Sequence, residues 1–176
     1  MAEERTQRRL VVILVAEVVT SSRPTKRNDV LTLAVFESCR KAILDPLFVR
    51  YAGRVLRAVG DGVLVEFANA VNAVQCAIEL QQGMAAVNRD HLDERRIMLG
   101  VAVNLGEVWS EDAGRASAGD IAIRLVGLAE PGDILISGSA YDHVRNKITA
   151  AFEDLGARNL KNIFEPVRVY RIAGMP

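Results

Sequence analysis

The sequence contains only two cysteines, Cys39 and Cys76, among its 176 residues. Neither has a His or a second Cys close to it in the chain, which argues against a zinc site. Both fall in stretches that we predict to be helical. We therefore interpret them as reduced core residues of a cytoplasmic protein.

The chain also lacks an excess of charge of either sign, because 22 Lys and Arg balance 22 Asp and Glu. Nucleic-acid binding depends on a basic surface, so we expect no nucleic-acid partner. The apolar run at 10–16 is interrupted by Glu17 and falls well short of the ~20 residues that cross a bilayer. We expect no membrane insertion, and a single domain over residues 1–176.

The pattern of apolar residues predicts alternating strands and helices. The β-branched run at 10–16 is typical of a strand that is buried on both faces. Asn28 or Asp29 is expected to begin a helix that Pro46 ends or kinks. The remaining predictions are a helix from Asn69, a strand over 97–105 with a short partner over 107–110, a helix from Ser117 to about Ala129, a strand over 134–136, a helix over 139–147 and a final strand over 167–172.

A hairpin is predicted at 54–67, where two apolar runs meet at Gly60-Asp61-Gly62. Asp-Gly between β-branched runs favours a tight turn, since Gly tolerates the positive φ that such a turn requires. Asp61 then presents a carboxylate at a rigid apex. The alternative is that Asp61 serves only as the turn residue, hydrogen-bonded to its own backbone.

Several segments follow one another in an order that resembles the class III adenylate and guanylate cyclases, over residues 8–173. They are Arg8 to Val18, Asp45-Pro46-Leu47, the hairpin, Val103-Asn104-Leu105-Gly106-Glu107-Val108, Ile121 to Ile134 and Leu160 to Tyr170. The resemblance implies an α/β (α+β sandwich) fold with a ferredoxin-like core, a mixed sheet and flanking helices. It also implies conversion of ATP (or GTP) to a cyclic nucleotide and pyrophosphate by a homodimer.

The same resemblance implies a site for two Mg²⁺ or Mn²⁺ ions held by Glu17 and Asp61. The family usually has Asp where this chain has Glu17. Glu keeps the ligand atoms but adds a methylene, and a displacement of ~1 Å at a reacting centre can cost ~10²-fold in rate. The alternative is that Glu17 ends a buried strand and pairs with a nearby Arg.

Base recognition in the family uses a Lys just before the hairpin apex and an Asp or Thr in the loop before the third helix. The first position is Arg57 here, which is larger and always charged, so the exchange is not conservative. The second position is Ala113, or Asp112 if the loop is shifted by one residue. Arg57 has the alternative interpretation of an ordinary exposed strand residue.

The third helix supplies the remaining family contacts, an Asn that orients the ribose and an Arg four residues later that meets the phosphates. These positions are Asp120 and Arg124, which share one helix face and could instead form a surface ion pair. Lys161 is a further phosphate candidate, with a solvated Lys as its alternative.

The altered contacts lead us to expect a nucleotide cyclase domain with weak or absent activity. Two other interpretations stay open. One is a non-catalytic regulatory module that binds a nucleotide or dimerises, and the other is an active cyclase with a different substrate.

Overall fold

A mixed seven-stranded sheet organises the chain in a computed structural model that describes residues 8–19, 29–59, 61–91, 96–109 and 117–173. Its order is β2-β3-β1-β4-β5-β7-β6. Among neighbouring strands, β4 and β5 form the one parallel pair, and the other pairs are antiparallel. The strands are β1 Arg8–Val18, β2 Arg54–Val59, β3 Gly62–Phe67, β4 Leu99–Trp109, β5 Ile134–Ser137, β6 Ala151–Arg158 and β7 Val167–Ala173. The first four strands have the order of a ferredoxin-like core, which confirms the predicted fold class.

The central strand β1 is buried on both faces, as its run of apolar residues predicts. Residues 12, 14 and 16 pack into one core, whereas residues 11, 13 and 15 pack into another. Because side chains alternate along a strand, Glu17 lies on the same face as the second set.

Helices cover the two faces of the sheet unequally. The helices are α1 Asp29–Cys39, α2 Asp45–Arg50, α3 Ala70–Arg89, α4 Ala118–Val126 and α5 Gly138–Val144. Residues of α1, α2, α3 and α5 pack into the larger core, and α4 packs on the other face, mainly against β1 and β4. Within the described ranges, no helix is long and apolar enough to cross a membrane.

The structure corrects the expectation that Pro46 ends or kinks the first helix. A π-helical turn, Arg40–Leu44, joins α1 directly to α2. Pro46 lies in the first turn of α2, where its missing N–H costs little. The helical segment therefore continues to Arg50.

Two strands also differ from the predictions. β4 is one strand from Leu99 to Trp109, although Gly106 interrupts its pattern. The strand β6 was not predicted, because it is an edge strand whose residues are mostly exposed and include Glu153 and Asp154. Such a strand lacks the apolar alternation of a half-buried one.

Candidate active site

Glu17 and Asp61 lie together where β1 meets the β2–β3 hairpin. Glu17 pairs with Gly62 across the ladder, and the Val18 N–H donates to the Asp61 carbonyl at 2.9 Å. Burial raises the pKa of the Glu17 carboxyl, and the nearby charge of Asp61 raises it further. The two carboxylates are therefore close enough to repel each other.

The alternative of an Arg partner for Glu17 can be compared with the described contacts of this side chain. No ion pair of Glu17 is recorded in the part of the chain that the structure describes. No cluster of three or more His, Cys, Asp or Glu side chains occurs there either. Mg²⁺ is commonly held by one or two carboxylates together with waters and substrate phosphates, so two acids fit such an ion.

The segment after α4 packs tightly beside Glu17. Gly100 of β4 pairs with Glu17, and a Cβ added at Gly100 would lie 2.8 Å from Val19 Cγ2 and 2.9 Å from Ala129 Cβ. Only a residue without a side chain permits this approach. The acid pair therefore lies next to the C-terminal end of α4, on the face of the sheet that α4 covers.

Arg57 is exposed on β2 and lies on this same face. It pairs with Leu64, which packs against the α4-side core. In contrast, Arg9 and Arg54 both bind Glu66, at 3.0 Å and 2.5 Å, and the side chain of Glu66 is only 12% exposed. Arg57 is exposed and forms no ion pair within the ranges that the structure describes.

Asp120 takes part in the N-terminal cap of α4. The Asp120 N–H donates to Ser117 Oγ at 3.1 Å, and the Ser117 N–H donates to Asp120 Oδ2 at 3.0 Å. The predicted start of this helix at Ser117 is confirmed, with Ser117 as its N-cap. The return bond to Asp120 was not predicted, although Ser-x-x-Asp at 117–120 is the sequence signature of this reciprocal capping box.

The possible ion pair between Asp120 and Arg124 is not found among the described residues. Both side chains are exposed, and the carboxylate of Asp120 turns back to the helix N-terminus, whose partial positive charge favours an anion. Arg124 is therefore exposed on the outer face of α4 without this intrahelical partner.

Removal of the cap is expected to weaken α4 measurably. We expect Ser117→Ala to lower the free energy of unfolding by about 1 kcal/mol, because the N–H of Asp120 loses its acceptor. Urea denaturation measures this change, with Ser38→Ala at an exposed position of α1 as the control. Equal stabilities of the two variants would contradict this role of Ser117.

The remaining predicted residues are not brought to the acid pair within one chain. Lys161 is exposed in the turn between β6 and β7. The register through β5 places this turn toward the Trp109 end of β4, whereas Glu17 lies at the opposite end. Asp112, Ala113 and Gly60 lie outside the described residues.

Asn104 is a residue that our sequence analysis did not assign a role. It is 3% exposed on β4, and its Nδ2 donates to the Ala118 carbonyl at 3.1 Å. A polar side chain in the apolar strand 99–105 is the signal that could have revealed it, because buried amides need partners.

Comparisons with known proteins identify relatives along the whole chain. No protein-family model matches. A protein of Rhizobium meliloti (strain 1021) named "Putative adenylate cyclase 3" is 43% identical over 171 residues, which is 97% of this chain. This chain spans 29% of the length of that relative.

Solved structures show the same fold. The guanylate cyclase domain of RhGC from Catenaria anguillulae, solved in complex with GTP, has a TM-score of 0.68 and 15% identity over 97% of this chain and all of that chain. The adenylate/guanylate cyclase/hydrolase from Silicibacter pomeroyi has a TM-score of 0.85 and 32% identity, covering 97% of this chain and 99% of that chain. The chain therefore belongs to the class III adenylate and guanylate cyclase family.

Proposed function

We propose that this cyclase domain converts ATP to cyclic AMP and pyrophosphate with low turnover, in the cytoplasm, with GTP as the alternative substrate. The observation that carries this proposal is the pairing of Glu17 and Asp61 at adjoining ends of β1 and β3. Two acids held this close destabilise each other unless a cation or a proton lies between them.

The reaction forms a bond between the ribose 3′-oxygen and the α-phosphorus and breaks the bond from that phosphorus to the oxygen of the leaving pyrophosphate. The proton of the 3′-hydroxyl passes to solvent. Negative charge grows on the phosphate oxygens, so a cation aimed at them stabilises the transition state. Arg124, with its exposed guanidinium, is the residue that we assign to this role, and Lys161 is a second phosphate ligand.

Glu17 and Asp61 would hold one or two Mg²⁺ or Mn²⁺ ions. When bound, such ions supply positive charge at the attacking and leaving oxygens. Arg57 would read the purine, since its guanidinium has no recorded protein partner among the described residues. Asp112 or Ala113 would complete base recognition.

Three altered positions explain the low turnover that we propose. Glu17 carries its carboxylate one methylene further than Asp would, and Arg57 replaces a smaller cation. The charge of Asp120 lies one helical turn from Arg124 and repels a triphosphate. Each change retains part of the binding chemistry while it disturbs the position of reacting groups.

We expect the domain to form a homodimer, because one chain does not bring Lys161 to the acid pair. Leu56 of β2 is an apolar residue that is 45% exposed, and a second copy would cover it. The acids of one protomer would then meet Arg57, Asp120, Arg124 and Lys161 of the other across a two-fold axis. Analytical ultracentrifugation at tens of micromolar measures this, and a monomer at that concentration would count against it.

Direct product detection tests the proposed activity. The purified domain is incubated with ATP or GTP and Mn²⁺ or Mg²⁺, and cyclic nucleotide is measured by mass spectrometry. We expect slow formation of cyclic AMP that Arg124→Ala abolishes, because this change removes the phosphate cation. Product that persists in Arg124→Ala would reject the role of Arg124, and its absence from the unaltered domain would reject catalysis.

A regulatory module is the second candidate, and the capping role of Asp120 favours it. The family position for ribose contact here serves the helix N-terminus instead. Such a module would bind a nucleotide and dimerise without turnover. Calorimetry that shows nucleotide binding, together with no cyclic product over hours, would support this candidate over the first.

A further inference from the structure

Two residues of β4, Asn104 and Gly106, contact the first turn of α4. Asn104 reaches across from β4, and its Nδ2 donates to the Ala118 carbonyl at 3.1 Å. Ala118 is the first residue of α4 and is 1% exposed. This is a hydrogen bond between a buried strand side chain and the helix that carries Arg124.

Gly106 allows the helix to come this close. A Cβ added there would lie 3.1 Å from the Cβ of Ala118 and 3.2 Å from Nδ2 of Asn104. Both contacts are tighter than side chains normally make. The small residue and the amide together fix the height of the helix start above β4.

We infer that Asn104 is a positioning residue for the cyclase reaction, acting through α4 on Arg124. The cap from Ser117 and Asp120 closes the helix end, but it is internal to α4 and its flanking residue and cannot fix α4 relative to β4. Apolar packing holds α4 on β1 and β4, and Asn104 adds a directional hydrogen bond from a buried amide that fixes where the first turn of α4 lies on β4. This inference rests on the proposed function, in which Arg124 meets the phosphates.

The test compares two buried asparagines of similar chemistry. Asn88 on α3 is 7% exposed, and its Nδ2 donates to the Ile97 carbonyl at 2.8 Å, on the face opposite α4. Asn104→Leu and Asn88→Leu each remove an amide donor, keep the branched shape of the side chain and add the same volume at a buried site. Both variants are expected to lose stability, so stability alone does not distinguish them.

Kinetics and hydrogen exchange distinguish positioning from a general structural role. We expect Asn104→Leu to lower kcat by ~10 to 100-fold with KM changed less than ~3-fold, because displaced phosphate contacts act mainly in the transition state. Asn88→Leu should keep kcat. Equal kcat in the two variants would overturn the inference.

Exchange of the Ile121 amide, which donates to the Ser117 carbonyl at 3.1 Å, provides a readout without activity. We expect it to accelerate at least ~10-fold in Asn104→Leu and to stay unchanged in Asn88→Leu, because only the first change frees the start of α4. Unchanged exchange in Asn104→Leu would overturn the inference. If the unaltered domain makes no cyclic nucleotide, the proposed function fails, and the exchange measurement still decides whether Asn104 holds the helix.

Discussion

Replacing Asp61 with Ala is expected to abolish nucleotide-dependent binding of Mn²⁺ or Mg²⁺. Asp61 and Glu17 are the only two acids that we assign to the metal, and a single carboxylate with waters holds Mg²⁺ poorly. Loss of a residue that merely supports a ligand typically costs 10 to 100-fold in metal affinity, so loss of a ligand itself should exceed ~100-fold. Isothermal titration calorimetry with a non-cyclisable ATP analogue measures the change.

Two further variants separate metal binding from the turn role of Asp61. Asp61→Asn keeps the shape and hydrogen-bonding capacity of the side chain and removes only its charge, so it should fold normally and still lose the metal. Asp90→Asn, at an exposed position after α3, is the matched control and should bind as the unaltered protein does. Unchanged metal binding by Asp61→Ala would favour the interpretation of Asp61 as a turn residue.

Local sequence signals predicted the three strands that carry the acid pair. The run at 10–16 and the Asp-Gly turn predict β1, β2 and β3, whereas the pairing of Glu17 with Asp61 was expected only from the family resemblance and is seen in the register of β1 with β3. Their closeness depends only on strand register, which the alternation of buried side chains fixes. Burial and the charge of Asp61 raise the pKa of Glu17, because this register brings the two side chains close together.

Contacts between distant segments were less accessible from the sequence. From the sequence, we predicted that the strand ends before Gly106, because a glycine weakens a strand and often marks an interruption. In the structure it lies inside β4, where the close approach of Ala118 requires a residue without a side chain. That requirement comes from packing between α4 and β4, and no local pattern reports it.

The sequence around Asp120 is compatible with two local interactions, and only one of them was predicted. The spacing to Arg124 suggested an ion pair along the helix, whereas the spacing to Ser117 matches a capping box. The structure contains the second arrangement. Backbone N–H groups at a helix start lack partners within the helix, so the carboxylate gains more there than from a solvated Arg.

Restoring the usual family residues at three positions is expected to raise the rate of cyclic nucleotide formation strongly. We expect a variant with Glu17→Asp, Arg57→Lys and Asp120→Asn to make cyclic nucleotide ~10² to 10³-fold faster than the unaltered domain, the range that one well-aimed electrostatic stabiliser supplies. Mass spectrometry of cyclic AMP under saturating ATP and Mn²⁺ measures the gain.

The geometry of the cap explains why Asp120→Asn should be tolerated in that variant. The amide oxygen of Asn can still accept from the Ser117 N–H, which Asp120 Oδ2 now does at 3.0 Å. The helix start is therefore kept, while one negative charge is removed from the face that carries Arg124. Adding Arg124→Ala to the triple variant should remove the gain, because the guanidinium is then absent. A triple variant that folds and dimerises yet makes no product would show that these three positions do not limit turnover, and base recognition around Asp112 and Ala113 would then be the step to restore.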